Sequence, residues 1–239
     1  MCNEYQLRAS RSDIDASFGR GGAVPLTWAD AEPNRALAEP IRPTERACLI
    51  RPSDPAHPRA GLVGQACRWW LVPGFHKGPV SDWKAMCTNA RIETVDTAPT
   101  FKDAYLRQRA LVPVTSFFEY DQPPGWKKGQ AKRRWEITWP EDPALGDLRF
   151  FAGIWAHSTP SDLTEPLESF AFITTPATAD LSAIHDRQPV VLTLEEGLAW
   201  LDLAGPGKAG LPLDKPPGSY QLDLRPREAI MSRDMRRML

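Results

Sequence analysis

The second residue of the chain is a cysteine, in Met1-Cys2-Asn3-Glu4-Tyr5, so removal of Met1 would place a thiol and a free α-amine on one residue. Such a 1,2-aminothiol reacts with an aldehyde in two steps: the amine condenses to an imine, and the sulfur closes on the imine carbon to give a five-membered thiazolidine. Reference pKa values are about 7.7–8 for an α-amine and about 8.5 for a thiol, so both nucleophiles are accessible near neutrality without a large environmental shift. The same thiol admits a second chemistry. With His185 as base and Asn89 as orienting group, Cys2 has the residue types of a cysteine hydrolase acting on peptides or amides. Glu119 ends the apolar run Ser116-Phe117-Phe118, where partial burial would raise a carboxyl pKa and suit it to proton exchange. His185 follows a helical segment, where the helix dipole favours imidazolium.

These residues are far apart in sequence and need a sheet to bring them together. At 239 residues and 42% hydrophobic, with 9 Trp and 9 Phe, the chain can bury a sizeable core without disulfides. Short β-branched and aromatic runs recur at 47–51, 67–72, 111–114, 117–120, 134–139, 149–156, 170–174 and 190–192. That spacing predicts an α+β domain dominated by a curled, barrel-like, mainly antiparallel sheet with a few flanking helices. Helices are expected after Asp13, over 100–109 behind Pro99, over 177–184 behind Pro176, and over 194–203, with Thr193 as N-cap and Glu196 in the capping-box position. The 24 prolines are scattered, so one domain over 1–239 is expected, with its core at about 2–203 and a connector, short strand and basic tail after it.

A net charge of −1 argues against a generally sticky nucleic-acid binder. Cations are nonetheless concentrated in KKGQAKRR at 127–134 and in the arginines from Arg225 to Arg237. The cysteines Cys2, Cys48, Cys67 and Cys87 have neither a disulfide framework nor zinc spacing, and no leader or membrane span precedes them. A cytoplasmic protein without metal or organic cofactor is expected.

Four stretches complete the pattern: WWLVPGFHKG at 69–78, NARIET at 89–94, RALVPVTSFFEY at 109–120 and AIHDRQPVVL at 183–192. Together with the N-terminal Met-Cys, in this order, they resemble the SOS-response-associated peptidase (SRAP) family, whose pattern is W-G-L-I-P-x-W, N-A-R-x-E, F-Y/F-E-W and I-H-D-R-M-P. The resemblance implies a protein that removes its own Met1 and captures the ring-opened aldehyde of an abasic site in single-stranded DNA as a thiazolidine crosslink. It implies Cys2 as crosslinking group, Asn89 orienting the new amine and opened sugar, and Glu119 and His185 moving protons. Arg91 and Arg187 are then phosphate ligands. Trp69, Trp70, Pro73, Gly74 and Phe75 supply an apolar wedge for base stacking, with one of the two tryptophans turned to the core by strand alternation. Lys127, Lys128, Arg133 and Arg134 extend the phosphate track. The implied partner is single-stranded DNA containing abasic sites, bound by a monomer that associates with the nucleoid at damage. The chain departs from the pattern at Asn3-Glu4, where the family has Gly-Arg, and Glu4 could repel phosphate or tune the thiol upward. It also departs at 39–43, where the N-V-A-P asparagine is missing and Arg42 is expected to substitute as a phosphate ligand, at Trp70 for glycine, and at Gln188 for methionine.

Overall fold

A computed structural model describes residues 2–20, 24–29, 39–58, 60–142, 146–213, 215–216 and 218–225. In chain order its elements begin with β1 (Tyr5–Gln6), α1 (Arg11–Arg20), β2 (Leu26–Trp28), β3 (Arg46–Pro52), β4 (Leu62–Trp69) and β5 (Asn89–Arg91). Then come α2 (Pro99–Arg107), β6 (Arg109–Val114), β7 (Ser116–Asp121), β8 (Arg133–Thr138), β9 (Arg149–Ser158) and β10 (Leu167–Pro176). The described chain closes with α3 (Ala179–Ser182), β11 (Arg187–Pro189), β12 (Val191–Leu192), α4 (Leu194–Leu201) and β13 (Gln221–Arg225).

The expected barrel is present and closed. β4 pairs β3, β3 pairs β6, β6 pairs β9, β9 pairs β10, and β10 returns to β4 in parallel through Ser169↔Arg68 and Phe170↔Trp69. β6 is buried along its whole length, as a barrel strand must be when its outer face is covered too. That cover is α4, started by the expected capping box between Thr193 and Glu196. Its Trp200 Nε1 donates to both Ala110 O (3.2 Å) and Gly153 O (3.1 Å). A Cβ at Gly153 would meet Ala110 O at 3.0 Å, so the close approach of β6 and β9 favours glycine there.

A second sheet, β1-β7-β8-β13, leaves the barrel where β6 runs into β7 through Thr115. Thr115 Oγ1 accepts from Arg8 N (3.0 Å) and donates to Gln6 O (3.1 Å), which stitches the N-terminal segment to this corner. Tyr5 fills the junction, edge-on to Trp69 (5.1 Å between ring centroids), Phe151 (5.7 Å) and Phe172 (6.2 Å). The basic tail expected beyond Arg225 lies outside the described residues.

Three sequence expectations are revised. The first helix starts at Arg11, not after Asp13, because Ser10 N donates to Asp13 Oδ2 (2.8 Å) and Asp13 N to Ser10 Oγ (3.3 Å), a reciprocal cap. The 177–184 helix shrinks to one turn, α3. The strand expected over 67–72 stops at Trp69 because Trp70 has φ 156°, and its N–H turns to Phe170 O (3.1 Å). A bulky residue at positive φ is a strained substitute for the family's glycine.

Candidate active site

The N-terminal segment lies between β7 and the 41–42 segment: Tyr5 pairs Phe117, and Tyr5 and Ile41 exchange backbone bonds at 3.1 and 2.7 Å. This arrangement seals Cys2 in the interior, where its exposure is 0%. Its Sγ donates to Glu4 O (3.3 Å), an oxygen that also accepts from Phe118 N (2.9 Å). Burial, reinforced by the Glu119 carboxylate, pushes the thiol well above its ordinary pKa. A thiol near its reference value was expected, and the correction follows from desolvation, which disfavours the thiolate.

Asn89 opens β5, which pairs parallel to β10 with Phe172 opposite Asn89 and Thr174 opposite Arg91. Its Nδ2 donates to the Cys2 carbonyl oxygen (2.9 Å) and to Thr88 Oγ1 (3.0 Å). Asn89 Oδ1 is buried and has no hydrogen-bond partner among the described residues. Arg91, two positions along the same extended face, is exposed.

Glu119 is buried on β7, and desolvation raises its pKa to about 7, with the Asp186 carboxylate acting in the same direction. That coupling brings the His185 turn to the Glu119 side of the site. His185 departs from the expectation of a dipole-stabilised imidazolium: α3 has only four residues, and burial lowers the imidazole pKa. The Lys132 cation acts in the same direction, which puts one lysine of the 127–134 stretch within electrostatic reach. Nδ1 of His185 lies 3.0 Å from Arg187 N and 2.8 Å from Asp186 Oδ1. The neutral ring accepts from the amide and carries its proton on Nε2; the imidazolium donates from Nδ1 to Asp186 instead.

The other sequence candidates scatter. Arg187 is spoken for: its Nη2 donates to Glu93 Oε2 (3.0 Å) and Thr174 O (2.7 Å), and its Nη1 also bonds Glu93. Trp69 is the tryptophan that faces the core, stacked on Phe172 at 5.2 Å with Nε1 donating to Thr88 O (3.0 Å), so it has no face for a base. Trp70 is half-buried, and its Nε1 donates to Ala85 O (2.8 Å). Pro73 is buried, Gly74 is exposed, and Phe75 is 57% exposed, edge-on to Trp83. Two cations of the expected phosphate track are withdrawn: Arg133 pairs with Asp121, and buried Arg134 bonds Glu4 through Nε (3.1 Å). Lys127 and Lys128 are exposed.

Of the effects expected of Glu4, the upward pull on the Cys2 thiol is present as a small contribution beside burial and Glu119; its partners are what the sequence did not show. Glu4 is buried, and its carboxylate accepts from Arg42 Nη2 (2.6 Å), Arg134 Nε and the Tyr120 hydroxyl, so its charge is balanced within the fold. The unusual acidic residue beside the nucleophile was the only signal in the sequence, and its partners are remote. Among the described residues, no group of three or more His, Cys, Asp or Glu could hold a metal ion, and no helix is long and apolar enough to cross a membrane.

A closed barrel thus buries Cys2, with its carbonyl held by Asn89 and its thiol near the raised Glu119 carboxyl. The chain belongs to the SOS response associated peptidase (SRAP) family, whose model matches residues 1–226. It is 31% identical over 203 residues to the abasic site processing protein YoqW of Bacillus subtilis, covering 84% of this chain and 80% of that protein. It is also 31% identical over 202 residues to the abasic site processing protein YedK of Escherichia coli, covering 84% and 79%. A crystal structure of a protein from Bacteroides thetaiotaomicron has the same fold, with a TM-score of 0.71 at 22% identity over 93% of this chain and 91% of the other.

Proposed function

We propose that this protein, after loss of Met1, captures abasic sites in single-stranded DNA as a thiazolidine on Cys2. The α-amine of Cys2 attacks the aldehyde carbon of the ring-opened sugar, and the carbinolamine loses water to give an imine. Cys2 Sγ then adds to the imine carbon, its proton passing by way of Glu119 to the imine nitrogen. The sum is aminothiol plus aldehyde giving thiazolidine plus water. His185, neutral at pH 7, supplies Nε2–H to the sugar oxygen released on ring opening. Arg91 takes a flanking phosphate, Phe75 and Trp70 offer faces to neighbouring bases, and Arg187 joins the phosphate contacts by exchanging Glu93 for DNA. Met1 is removed by the same site, and the protein acts as a monomer in the response to DNA damage, shielding the lesion from strand cleavage.

The observation that supports this reading most is the amide of Asn89. Its Nδ2 grips the Cys2 carbonyl while its buried Oδ1 lacks a partner among the described residues. An orphan acceptor inside a protein costs about 1–3 kcal/mol, and a new α-amine on the residue already gripped would satisfy it. The names of the relatives point to the same lesion. A hydrolase built on Cys2 and His185 is less well supported, because it needs a ready thiolate and the Cys2 thiol is pushed up.

The test is the intact mass of the protein after incubation with a single-stranded oligonucleotide carrying one abasic site, followed by heat and denaturant. A covalent adduct lacking Met1 is expected, absent in Cys2→Ser and in a variant with one extra residue retained before Cys2. Failure to form an adduct by folded protein with Cys2 at its N-terminus would refute the proposal.

A further inference from the structure

Two departures of this chain from its family's pattern meet in space. Glu4 stands where the opening motif has arginine, and Arg42 lies in the segment that has lost its asparagine. They form one ion pair at 2.6 Å, in which the Arg42 side chain is 33% exposed and that of Glu4 4%. The neighbouring Ile41 is clipped to Tyr5 by two backbone bonds, and Arg42 N donates to Glu45 Oε2 (2.9 Å), so Arg42 is fastened beside β1, which follows Cys2 in the chain. The second cation on Glu4, Arg134, is buried with its guanidinium 3.7 Å from the Phe118 ring centroid. Glu4 is therefore shared by two guanidinium groups, and of the two the one with an exposed head is Arg42.

We infer that Arg42 binds a backbone phosphate of the DNA strand at the Cys2 site and that Glu4 is its positioning residue. One Nη of Arg42 is held by Glu4, which leaves the rest of the guanidinium fork for an anion in an orientation already set before the strand arrives. Pre-ordering matters because a free arginine side chain loses about 2 kcal/mol of rotamer freedom when fixed. The carboxylate beside the nucleophile thus aims a cation at the strand, and its own charge is offset by the two guanidinium groups that bond it. The inference rests on the proposed function for the identity of the anion.

The test is the affinity of the full chain for an undamaged single-stranded oligonucleotide across a salt series. Arg42→Gln is expected to weaken binding about tenfold at low salt and to reduce the slope of log affinity against log salt by about 0.7, the loss of one phosphate contact. Arg42→Lys keeps the slope. In a Glu4→Gln background, the loss on Arg42→Gln shrinks to less than about threefold, since the two residues are coupled; Glu4→Asp replaces Glu4→Gln if the latter does not fold. An unchanged slope in folded Arg42→Gln overturns the phosphate role, and an equal loss in both backgrounds overturns the role of Glu4. The outcomes are separable from those of the adduct experiment. Binding with an Arg42-dependent slope but no adduct sinks lesion capture and leaves this site standing, whereas an adduct with an Arg42-independent slope overturns this inference alone.

Discussion

Glu119→Gln should make the protein more stable and less active, and both effects should depend on pH. The carboxyl titrates at its ordinary 4.5 when unfolded and at about 7 when folded, because burial disfavours its charge. Between these values the folded state holds a proton that the unfolded state has lost. Stability is therefore drained as pH rises through this window, and the loss is complete above about 7. Integrating the two titrations gives about 2.5 kcal/mol lost between about pH 5 and about pH 8 from this one group. Glutamine has no charge to bury, so the stability of Glu119→Gln relative to wild type should climb by about that amount over the same interval. Taking the difference cancels the other titrating groups, His185 included. Urea denaturation of both proteins at the two pH values measures it. Adduct formation should move the other way: the wild-type rate has an inflection near 7 as the carboxylate accumulates, and the variant loses that inflection and runs about 100-fold slower, the usual scale of a lost general base. A stability difference that does not change with pH would refute the reasoning, because it would mean that Glu119 is not desolvated in the fold.

Asn89→Ala removes both Nδ2 bonds, to Cys2 O and Thr88 Oγ1. It should cost about 1–2 kcal/mol in chemical denaturation and lower the adduct yield by at least about tenfold, against no loss of yield if the amide only stabilises the fold. Arg109, buried with bonds to the Tyr105, Trp200 and Asp202 carbonyls, ties β6 to α2 and α4. Arg109→Met should cost about 3 kcal/mol through the orphaned acceptors, and a loss below about 1 kcal/mol would show that water replaces the guanidinium there. Alkylation of the native protein, followed by peptide mapping, should label half-buried Cys48 before Cys2, Cys67 and Cys87, which are buried and have raised thiol pKa values. Prior labelling of Cys2 would show that its mouth opens freely.

What could be read from the sequence was whatever the chain writes locally. The barrel strands announced themselves as apolar β-branched and aromatic runs, Thr193 and Glu196 wrote the start of α4 three residues apart, and the short motifs singled out Cys2, Asn89, Glu119 and His185 because unusual residue types recur there in fixed company. What could not be read depends on register. Glu4 looked like a liability for an anion site because its compensating charges are Arg42 in another loop and Arg134 on β8, which reaches it only because β7 pairs β1 on one edge and β8 on the other. The same pairing decides the electrostatics of Cys2. Its thiol looked close to ordinary while it was merely the second residue of a chain, and is a poor thiolate in the fold because it is buried with the Glu119 carboxylate nearby. For the proposed thiazolidine chemistry this order of reactivity would be an advantage. A protonated, buried sulfur would resist oxidation and stray alkylation until the amine had drawn the aldehyde in, and would then have to lose its proton only to a nearby carboxylate whose raised pKa lets it accept one and pass it on.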